Sequence, residues 1–295
     1  MAAATDPFRA LVRTEGARLY RDLPWRNTRD PYAIWISEVM LQQTQVPRVL
    51  TRWDAWLDRF PSVFALAEAG AGEVLEAWQG MGYNRRALAL KSAAEQVAGE
   101  YDGVFPTGAR DLCALPGIGP ATAQGIRSFA FDLPGVYLET NVRTVFLHHH
   151  FPDVPSVPDR ELIPLVESAC PGPEAPYAQP ADSSDTPRAW YYALLDYGAQ
   201  LKKTIPNPSR RSSSYTRQSK FEGSRRQKRA EIVRMLLDAQ RAGGGLPTDE
   251  VAQRLAAFER TAGREAPEAD LAPSILSDLA REGFCVERDG AWTIA

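Results

Sequence analysis

Glu38 is the first residue whose position in the chain could support acid–base chemistry. It lies four residues after Ile34 and three before Leu41, and in a helix these spacings place it on the same face as both apolar side chains. A carboxyl group held among apolar neighbours loses solvation, which raises its pKa and keeps it protonated near neutral pH. It could then act as a general acid, although most helical glutamates are simply solvated or ion-paired.

A glycine-rich turn, "LPGIGPATAQG" at 115–125, precedes a run with helical character. The backbone N–H groups that a helix leaves unpaired at its N-terminus suit a phosphate. A dinucleotide motif is excluded because Thr122 replaces its third glycine, and a P-loop is excluded because no Gly-Lys-Ser/Thr follows. Gly117 and Gly119 alone also fit a plain corner between two helices.

The charge of the chain is concentrated in one segment, residues 201–230, which we call the basic strip. It holds ten Lys and Arg and one acid, Glu222, so that 24 basic and 36 acidic residues remain elsewhere in a chain of net charge −3. A cationic segment on an acidic protein predicts a polyanion site. The alternative is a solvated linker.

Helical patterns must position these residues, because apolar side chains recur at three- and four-residue spacings through most of the first 222 residues. The clearest runs are 31–60, 87–101 and 188–203. Residues 171–188 are rich in Pro, Ser and Asp, which predicts a loop. The fold class is therefore mainly α.

The last 71 or so residues predict a second, smaller domain by their pattern of elements. Helical runs at 226–242, 248–259 and 274–283 precede an alternating stretch around Asp289-Gly290, which is a two-residue hairpin signal. Three helices and a hairpin suggest a winged-helix-like domain at 225–295, after a helical domain at 1–224.

Composition excludes several classes of protein. The chain shows no apolar run long enough to span a membrane and no signal-peptide pattern at its start. Its three cysteines are widely spaced, which fits a reducing compartment, and the consecutive His148, His149 and His150 point in different directions around a helix. We therefore expect a cytoplasmic, nucleoid-associated monomer without a metal site.

Several motifs together resemble the helix-hairpin-helix DNA glycosylase superfamily, and within it the MutY-like branch of A/G-specific adenine glycosylases. Beside "LPGIGPATA" they are "LPWR" at 23–26, "PYAIWISEVMLQQTQV" at 31–46, "WQGMGYNRRALAL" at 78–90 and "LLDYGA" at 194–199. The resemblance covers residues 8–222. It implies a fold of two helical subdomains and excision of an adenine opposite G or 8-oxoguanine in double-stranded DNA.

The resemblance also implies roles for individual residues. Glu38 would protonate the flipped adenine, and Glu139 in "LETNVRTV", with Asn141 beside it, would face the positive charge that develops on the sugar. The family has an aspartate where this chain has Glu139, so an extra methylene must be accommodated. The remaining expected positions are Trp25, Arg26, Leu41 and Val46 in the adenine pocket, Gln43 and Tyr83 inserted into the duplex, and Gly117, Gly119, Ala121, Thr122, Lys202, Arg210 and Arg211 on the DNA backbone.

Three departures from the family shape the predicted activity. Ala121 replaces the lysine of relatives that also cut the backbone through a Schiff base, so the enzyme is expected to be monofunctional. Residues 200–227, directly after Gly198-Ala199, contain no cysteine where the family binds an iron–sulfur cluster, so we expect no cluster and no cofactor, with the basic strip contacting DNA instead. The tail does not resemble the Nudix-like domain of the family. A glycosylase for uracil or thymine and a non-catalytic DNA-binding protein therefore remain alternatives.

Overall fold

Helices make up most of the computed structural model, which describes residues 6–172, 184–217 and 220–295. In the described part of the chain the helices are α1 (Pro7–Arg18), α2 (Pro31–Leu41), α3 (Val46–Arg59), α4 (Val63–Glu68), α5 (Ala71–Ala77), α6 (Arg85–Glu100), α7 (Ala109–Ala114), α8 (Pro120–Phe131), α9 (Thr140–His150), α10 (Asp159–Ala169), α11 (Pro187–Thr204), α12 (Arg225–Arg241), α13 (Thr248–Thr261) and α14 (Leu271–Arg281). The strands are β1 (Leu246–Pro247), β2 (Cys285–Arg288) and β3 (Ala291–Ile294). The mainly helical fold class is thereby confirmed.

The chain divides into two compact units, each built from two stretches. The first unit comprises Met1–Asp54 and Phe105–Arg217, and the second comprises Ala55–Val104 and Gln218–Ala295. The predicted boundary at 224 falls at Ser224, whose side chain caps α12 by accepting from the Gln227 N–H. Whether residues 225–295 form a domain of their own remains a prediction.

The core of the first unit is built around α11, which packs against α1 and α9. Trp190 and Tyr191 of α11 are fully buried beside Phe146 of α9. α11 approaches α9 closely because Gly198 has no side chain: a Cβ there would come within 2.2 Å of the Asn141 carbonyl oxygen. The glycine of the "LLDYGA" motif thus sets the distance between α11 and the start of α9.

The second unit combines α4–α6 with the C-terminal helices and an antiparallel sheet of order β1-β3-β2. Trp56 and Trp78 pack edge to face in its interior, with ring centroids 5.5 Å apart. The predicted hairpin is confirmed, since Arg288 pairs with Ala291 across Asp289 and Gly290, both at positive φ. The three helices and the hairpin agree with the predicted elements, whereas the short strand β1 was not predicted. The winged-helix assignment stays a prediction.

Two sequence predictions need correction. The run at 31–60 is two helices, because α2 ends at Leu41 and Gln43 adopts a φ of 54° before α3 begins at Val46. The predicted loop at 171–188 is shorter at its end, since Pro187 and Arg188 already belong to α11. Residues 173–183 of that loop lie outside the described residues.

No helix in the described ranges is both long and apolar enough to cross a membrane.

Candidate active site

Glu38 projects from a helix that is almost entirely buried. Asp30 caps the start of α2 by accepting from the Tyr32 and Ala33 N–H groups. Glu38 itself is half-buried, and its Oε2 accepts a hydrogen bond from the Tyr137 hydroxyl at 3.0 Å. The side chain is therefore held in one direction while it keeps some access to solvent.

The environment of Glu38 favours its protonated form. Burial raises the pKa of Glu38 to about 8, the Tyr137 hydrogen bond opposes this rise, and the negative charge of Glu139 adds to it. The direction agrees with the prediction from its apolar helix face. Glu38 consequently carries a proton at neutral pH and can donate it.

Gly125 of α8 provides the space that the Glu38 carboxyl group occupies. A Cβ at this position would lie 2.1 Å from Glu38 Oε2 and 3.1 Å from Tyr137 Cε2. Any side chain here would displace the carboxyl group. The sequence interpretation missed both residues: the packing of α8 against α2 reveals Gly125, and the hydrogen bond to Glu38 reveals Tyr137.

Glu139 caps the N-terminus of α9. Its Oε1 accepts from the backbone N–H groups of Asn141 and Val142, the latter at 2.9 Å. Burial raises the pKa of the half-buried Glu139, while these two hydrogen bonds and the cations of Lys202 and Arg143 oppose the rise. The negative charge of Glu139 in turn contributes to the raised pKa of Glu38.

Asn141 completes this group of polar side chains. Its Nδ2 lies 3.4 Å from Glu139 Oε2, which it contacts as a weak donor. Its Oδ1 is buried and has no hydrogen-bond partner among the described residues. A buried acceptor of this kind is costly unless a water or ligand pairs with it.

Arg26 is held in a buried ion pair that the sequence interpretation did not foresee. Its two terminal nitrogens donate to the carboxylate of Asp196 on α11 at 2.7 and 2.9 Å. Arg21 donates to the same carboxylate from its Nε and its backbone N–H. The sequence signal that could have indicated this ion pair is Asp196, an acid within the apolar "LLDYGA" run.

Trp25 is buried beside Trp53, with ring centroids 6.1 Å apart.

A cavity of about 870 Å³ opens beside Arg26 in the first unit. Tyr20, Arg188 and Tyr192 also line it, and the Tyr192 ring stacks on Phe129 with centroids 4.4 Å apart. Burial raises the pKa of Tyr192, and the nearby Glu38 carboxyl group contributes to the rise. Glu38 itself does not line this cavity.

The predicted inserted residues share an uncommon backbone conformation. Gln43 is exposed after the end of α2, with a φ of 54°, and lies between the half-buried Leu41 and Val46. Tyr83 belongs to the second unit and has a φ of 50°. Positive φ at residues other than glycine is strained and clusters at functional sites.

The glycine-rich turn joins α7 to α8 as the hairpin interpretation requires. Gly117 has a φ of 76°, which favours glycine, whereas a Cβ at Gly119 would meet no described atom within 4 Å. No side chain caps the start of α8, where Ala121 and Thr122 follow Pro120. The Thr122 hydroxyl accepts from Gln42, so its backbone N–H is the group suited to a phosphate.

The basic strip is only partly available to a ligand. Lys203 and Arg210 are exposed and Lys202 is half-buried, while Arg211 donates to the carbonyl groups of Leu147 in α9 and of Pro152 after it. Further along, Arg225, Lys228 and Arg229 form ion pairs within the second unit. The strip is thus partly a structural element, which composition alone did not indicate.

The described residues do not fit a metal centre. They contain no group of three or more His, Cys, Asp or Glu placed to hold a metal ion. Cys113 is exposed, while the buried Cys170 and Cys285 donate their thiols to backbone carbonyl groups. His149 shares a hydrogen bond with the Tyr197 hydroxyl, and burial lowers its pKa to about 4. Three cysteines in the whole chain cannot supply the four ligands of an iron–sulfur cluster.

Comparison with known proteins agrees with this geometry. Residues 36–162 match the family described as HhH-GPD superfamily base excision DNA repair protein. The adenine DNA glycosylase of Mycobacterium tuberculosis is 34% identical over 238 residues, which is 76% of this chain and 76% of the relative. The chain belongs to the adenine DNA glycosylase family of the HhH-GPD superfamily. The resemblance stated from the motifs is thereby confirmed.

Two further comparisons define the extent of the likeness. The adenine DNA glycosylase of Mycolicibacterium smegmatis is 47% identical over 126 residues, covering 42% of this chain and 43% of the relative. The chain thus spans less than half the length of that family member. A thermostable thymine-DNA glycosylase structure has a TM-score of 0.56 at 23% identity, covering 68% of this chain and 88% of its own. At that identity the structural likeness supports the HhH-GPD fold alone.

Proposed function

We propose that this protein is a monofunctional DNA glycosylase that removes adenine mispaired with G or 8-oxoguanine from double-stranded DNA. The observation that carries the proposal is the half-buried carboxyl group of Glu38, which accepts a hydrogen bond from Tyr137 and whose pKa is raised to about 8 by burial and by the charge of Glu139. Membership of the adenine DNA glycosylase family supports adenine as the base. A protein that only binds DNA would have no need of an acid beside a second carboxylate.

The reaction is the hydrolysis of an N-glycosidic bond. Glu38 transfers its proton to the extruded adenine, and the bonding electron pair leaves with the neutral base. The sugar becomes positively charged and is stabilised by the ionised Glu139. A water molecule then attacks the sugar and gives up a proton to the Glu38 carboxylate, which restores the acid. The unpaired Asn141 Oδ1 would accept a hydrogen bond from this water.

The predicted binding residues have complementary parts in the proposal. The backbone N–H groups of Ala121 and Thr122 would bind one phosphate at the start of α8, and Lys202, Arg210 and Arg211 would contribute positive charge. Trp25, Arg26, Leu41 and Val46 would contact the extruded adenine, with Gln43 and Tyr83 in the duplex. Ala121 carries no amine, so no Schiff base forms with the sugar.

We also propose that the enzyme works without an iron–sulfur cluster, because its cysteines are too few for one, and that it works as a monomer. The purified, active protein is expected to be colourless. Absorbance in the visible band of such clusters, accompanied by stoichiometric iron, would contradict this part of the proposal.

The decisive experiment measures base excision on a panel of duplexes. Adenine opposite 8-oxoguanine or G should be removed, whereas U:G and T:G duplexes should stay intact after alkali treatment. Glu38→Gln should abolish excision while the protein still binds the duplex. If wild type and Glu38→Gln bind the duplex equally and neither excises a base, the result would instead support the non-catalytic alternative.

A further inference from the structure

We propose that Arg226, at the start of α12, is a positioning residue that orients Tyr83 for insertion into the duplex. The inference rests on the proposed function, because the family resemblance assigns Tyr83 to insertion. It extends that function by giving the C-terminal segment at 225–295 a part in base extrusion. The observation behind it is the contact of one arginine with both the hydroxyl group and the ring of Tyr83.

Side-chain hydrogen bonds fix the main chain just before Tyr83. Trp78 Nε1 donates to the Gly82 carbonyl at 3.0 Å, and Arg86 Nη2 donates to the carbonyl groups of Met81 and Gly82, both at 3.1 Å. These bonds hold the two residues before Tyr83, which itself has a φ of 50°. Such a conformation persists only where neighbouring contacts determine it, so the loop has been built to present Tyr83 in a particular direction.

Arg226 holds the far end of the Tyr83 side chain. Its Nη1 donates to the Tyr83 hydroxyl at 2.7 Å, and its Cζ lies 5.0 Å from the centroid of the Tyr83 ring. Arg86 contacts the same ring at 5.6 Å, and Arg226 also contacts the ring of Phe221 at 5.3 Å. A charged donor gives a stronger hydrogen bond than a neutral one, and each guanidinium adds a cation–π attraction.

The location of Arg226 on α12 argues against a purely helix-stabilising role. Cations near the positive N-terminal end of a helix are unfavourable, and this end has no acidic residue in its first turn. Its neighbours contact acids of the second unit, in the pairs Arg225 with Asp278 at 2.6 Å, Lys228 with Glu259 at 3.3 Å and Arg229 with Glu282 at 2.5 Å. Arg226 donates to a phenol hydroxyl in the loop before α6.

The test observes extrusion without chemistry, in a Glu38→Gln background. A duplex with adenine opposite 8-oxoguanine carries 2-aminopurine next to the adenine, and its fluorescence rises when the adenine leaves the stack. We expect Arg226→Met to slow this rise by about tenfold, since it removes a charge-assisted hydrogen bond, and Arg226→Lys to restore part of the rate. Arg234→Met is the matched control, because among the described residues Arg234 forms ion pairs with Glu231 and Asp238 of its own helix, and it should leave the rate unchanged.

A second measurement separates positioning from general damage. With Glu38 intact, Arg226→Met should excise adenine slowly from the paired duplex but at the parent rate from an unpaired bulge, which needs little extrusion. Equal slowing on both substrates, or an unchanged fluorescence rate, would overturn the inference. If Arg226→Met folds poorly, Tyr83→Phe decides the question, because it deletes only the hydroxyl and should slow extrusion similarly. Normal extrusion without excision by the wild type would refute the proposed function and leave this inference standing.

Discussion

At the scale of single residues, the carboxyl groups of Glu38 and Glu139 differ in the groups that contact them. Burial raises the pKa of both Glu38 and Glu139. Only Glu139 accepts two backbone N–H bonds and lies near the cations of Lys202 and Arg143. The negative charge of the pair is therefore most stable on Glu139 and the proton on Glu38, which is the division of roles that an acid and an electrostatic stabiliser require.

The protonation of Glu38 predicts a pH profile for excision. Because the acid acts only when protonated and its pKa is about 8, the single-turnover rate should fall about tenfold per pH unit above that value. The sign for stability follows from the same value. The folded state binds more protons than the unfolded state between the ordinary glutamate pKa and 8, so stability decreases as the pH rises through this range.

Glu38→Gln removes this titration and provides the control. Its stability advantage over the wild type should grow between pH 5 and pH 8, by about 2 kcal/mol after allowance for partial solvent exposure. Denaturant unfolding at the two pH values measures it. An advantage that is independent of pH would show that Glu38 is already ionised in the folded protein.

Gly125 predicts a second effect at this scale. Gly125→Ala should lower the excision rate by about 100-fold, because the new methyl group must displace the Glu38 carboxyl group from its place. Gly99→Ala is a matched control in α6, where a Cβ would meet open space, and it should leave excision unchanged. Single-turnover kinetics of the two variants on one duplex compare them directly. Similar rates for both would mean that the acid does not depend on this packing.

At the scale of elements, the positions of helices could be predicted from the sequence, whereas the residues that each helix contacts could not. Repeated apolar spacing located α6 and α11 within one or two residues, because that signal lies within each helix. The break after α2 depends on the positive φ of Gln43, which no spacing encodes. Glu38 and Glu139 could be predicted from motifs. Tyr137, by contrast, lies 99 residues from Glu38 along the chain, so its hydrogen bond exists only after the helices pack.

The ion pair between Arg26 and Asp196 shows the same limit, since it joins residues 170 positions apart. Asp196→Asn should destabilise the protein by about 3–5 kcal/mol, because it leaves the buried guanidinium of Arg26 without its counter-charge. Glu95→Gln, which breaks an exposed pair with Lys91, should cost less than about 1 kcal/mol. Chemical denaturation of both variants measures the difference. An equal loss of stability in the two variants would mean that the Arg26 guanidinium is exposed to solvent rather than buried.

At the scale of the whole molecule, the sequence directs attention to one cationic segment, and the structure divides it by function. The exposed Lys203 and Arg210 can meet a polyanion. Arg225 and Arg229 pair with Asp278 and Glu282 and so help to hold α12 against α14. An excess of acid over base elsewhere in the chain makes such internal pairing electrostatically favourable.

This division predicts the salt dependence of DNA binding. Alanine at both Lys203 and Arg210 should reduce the slope of log K against log salt by about 2, since each phosphate contact contributes about 0.9. Alanine at both Arg225 and Arg229 should change the slope little while lowering the melting temperature. Fluorescence anisotropy across a salt series gives both slopes. The reverse order of the two slopes would assign the DNA contacts to α12.

The two discontinuous units also impose an order on biosynthesis. Residues 1–54 leave the ribosome before 105–217, with which they form one unit, and Ala55–Val104 must wait for Gln218–Ala295. Contacts between such distant stretches form slowly and only after their later half has been made. A nascent chain halted after residue 217 already contains Glu38, Gly125, Tyr137 and Glu139, whereas its Tyr83 still lacks Arg226. Translation thus allows the unit that contains Glu38 to fold before Arg226 is available to contact Tyr83.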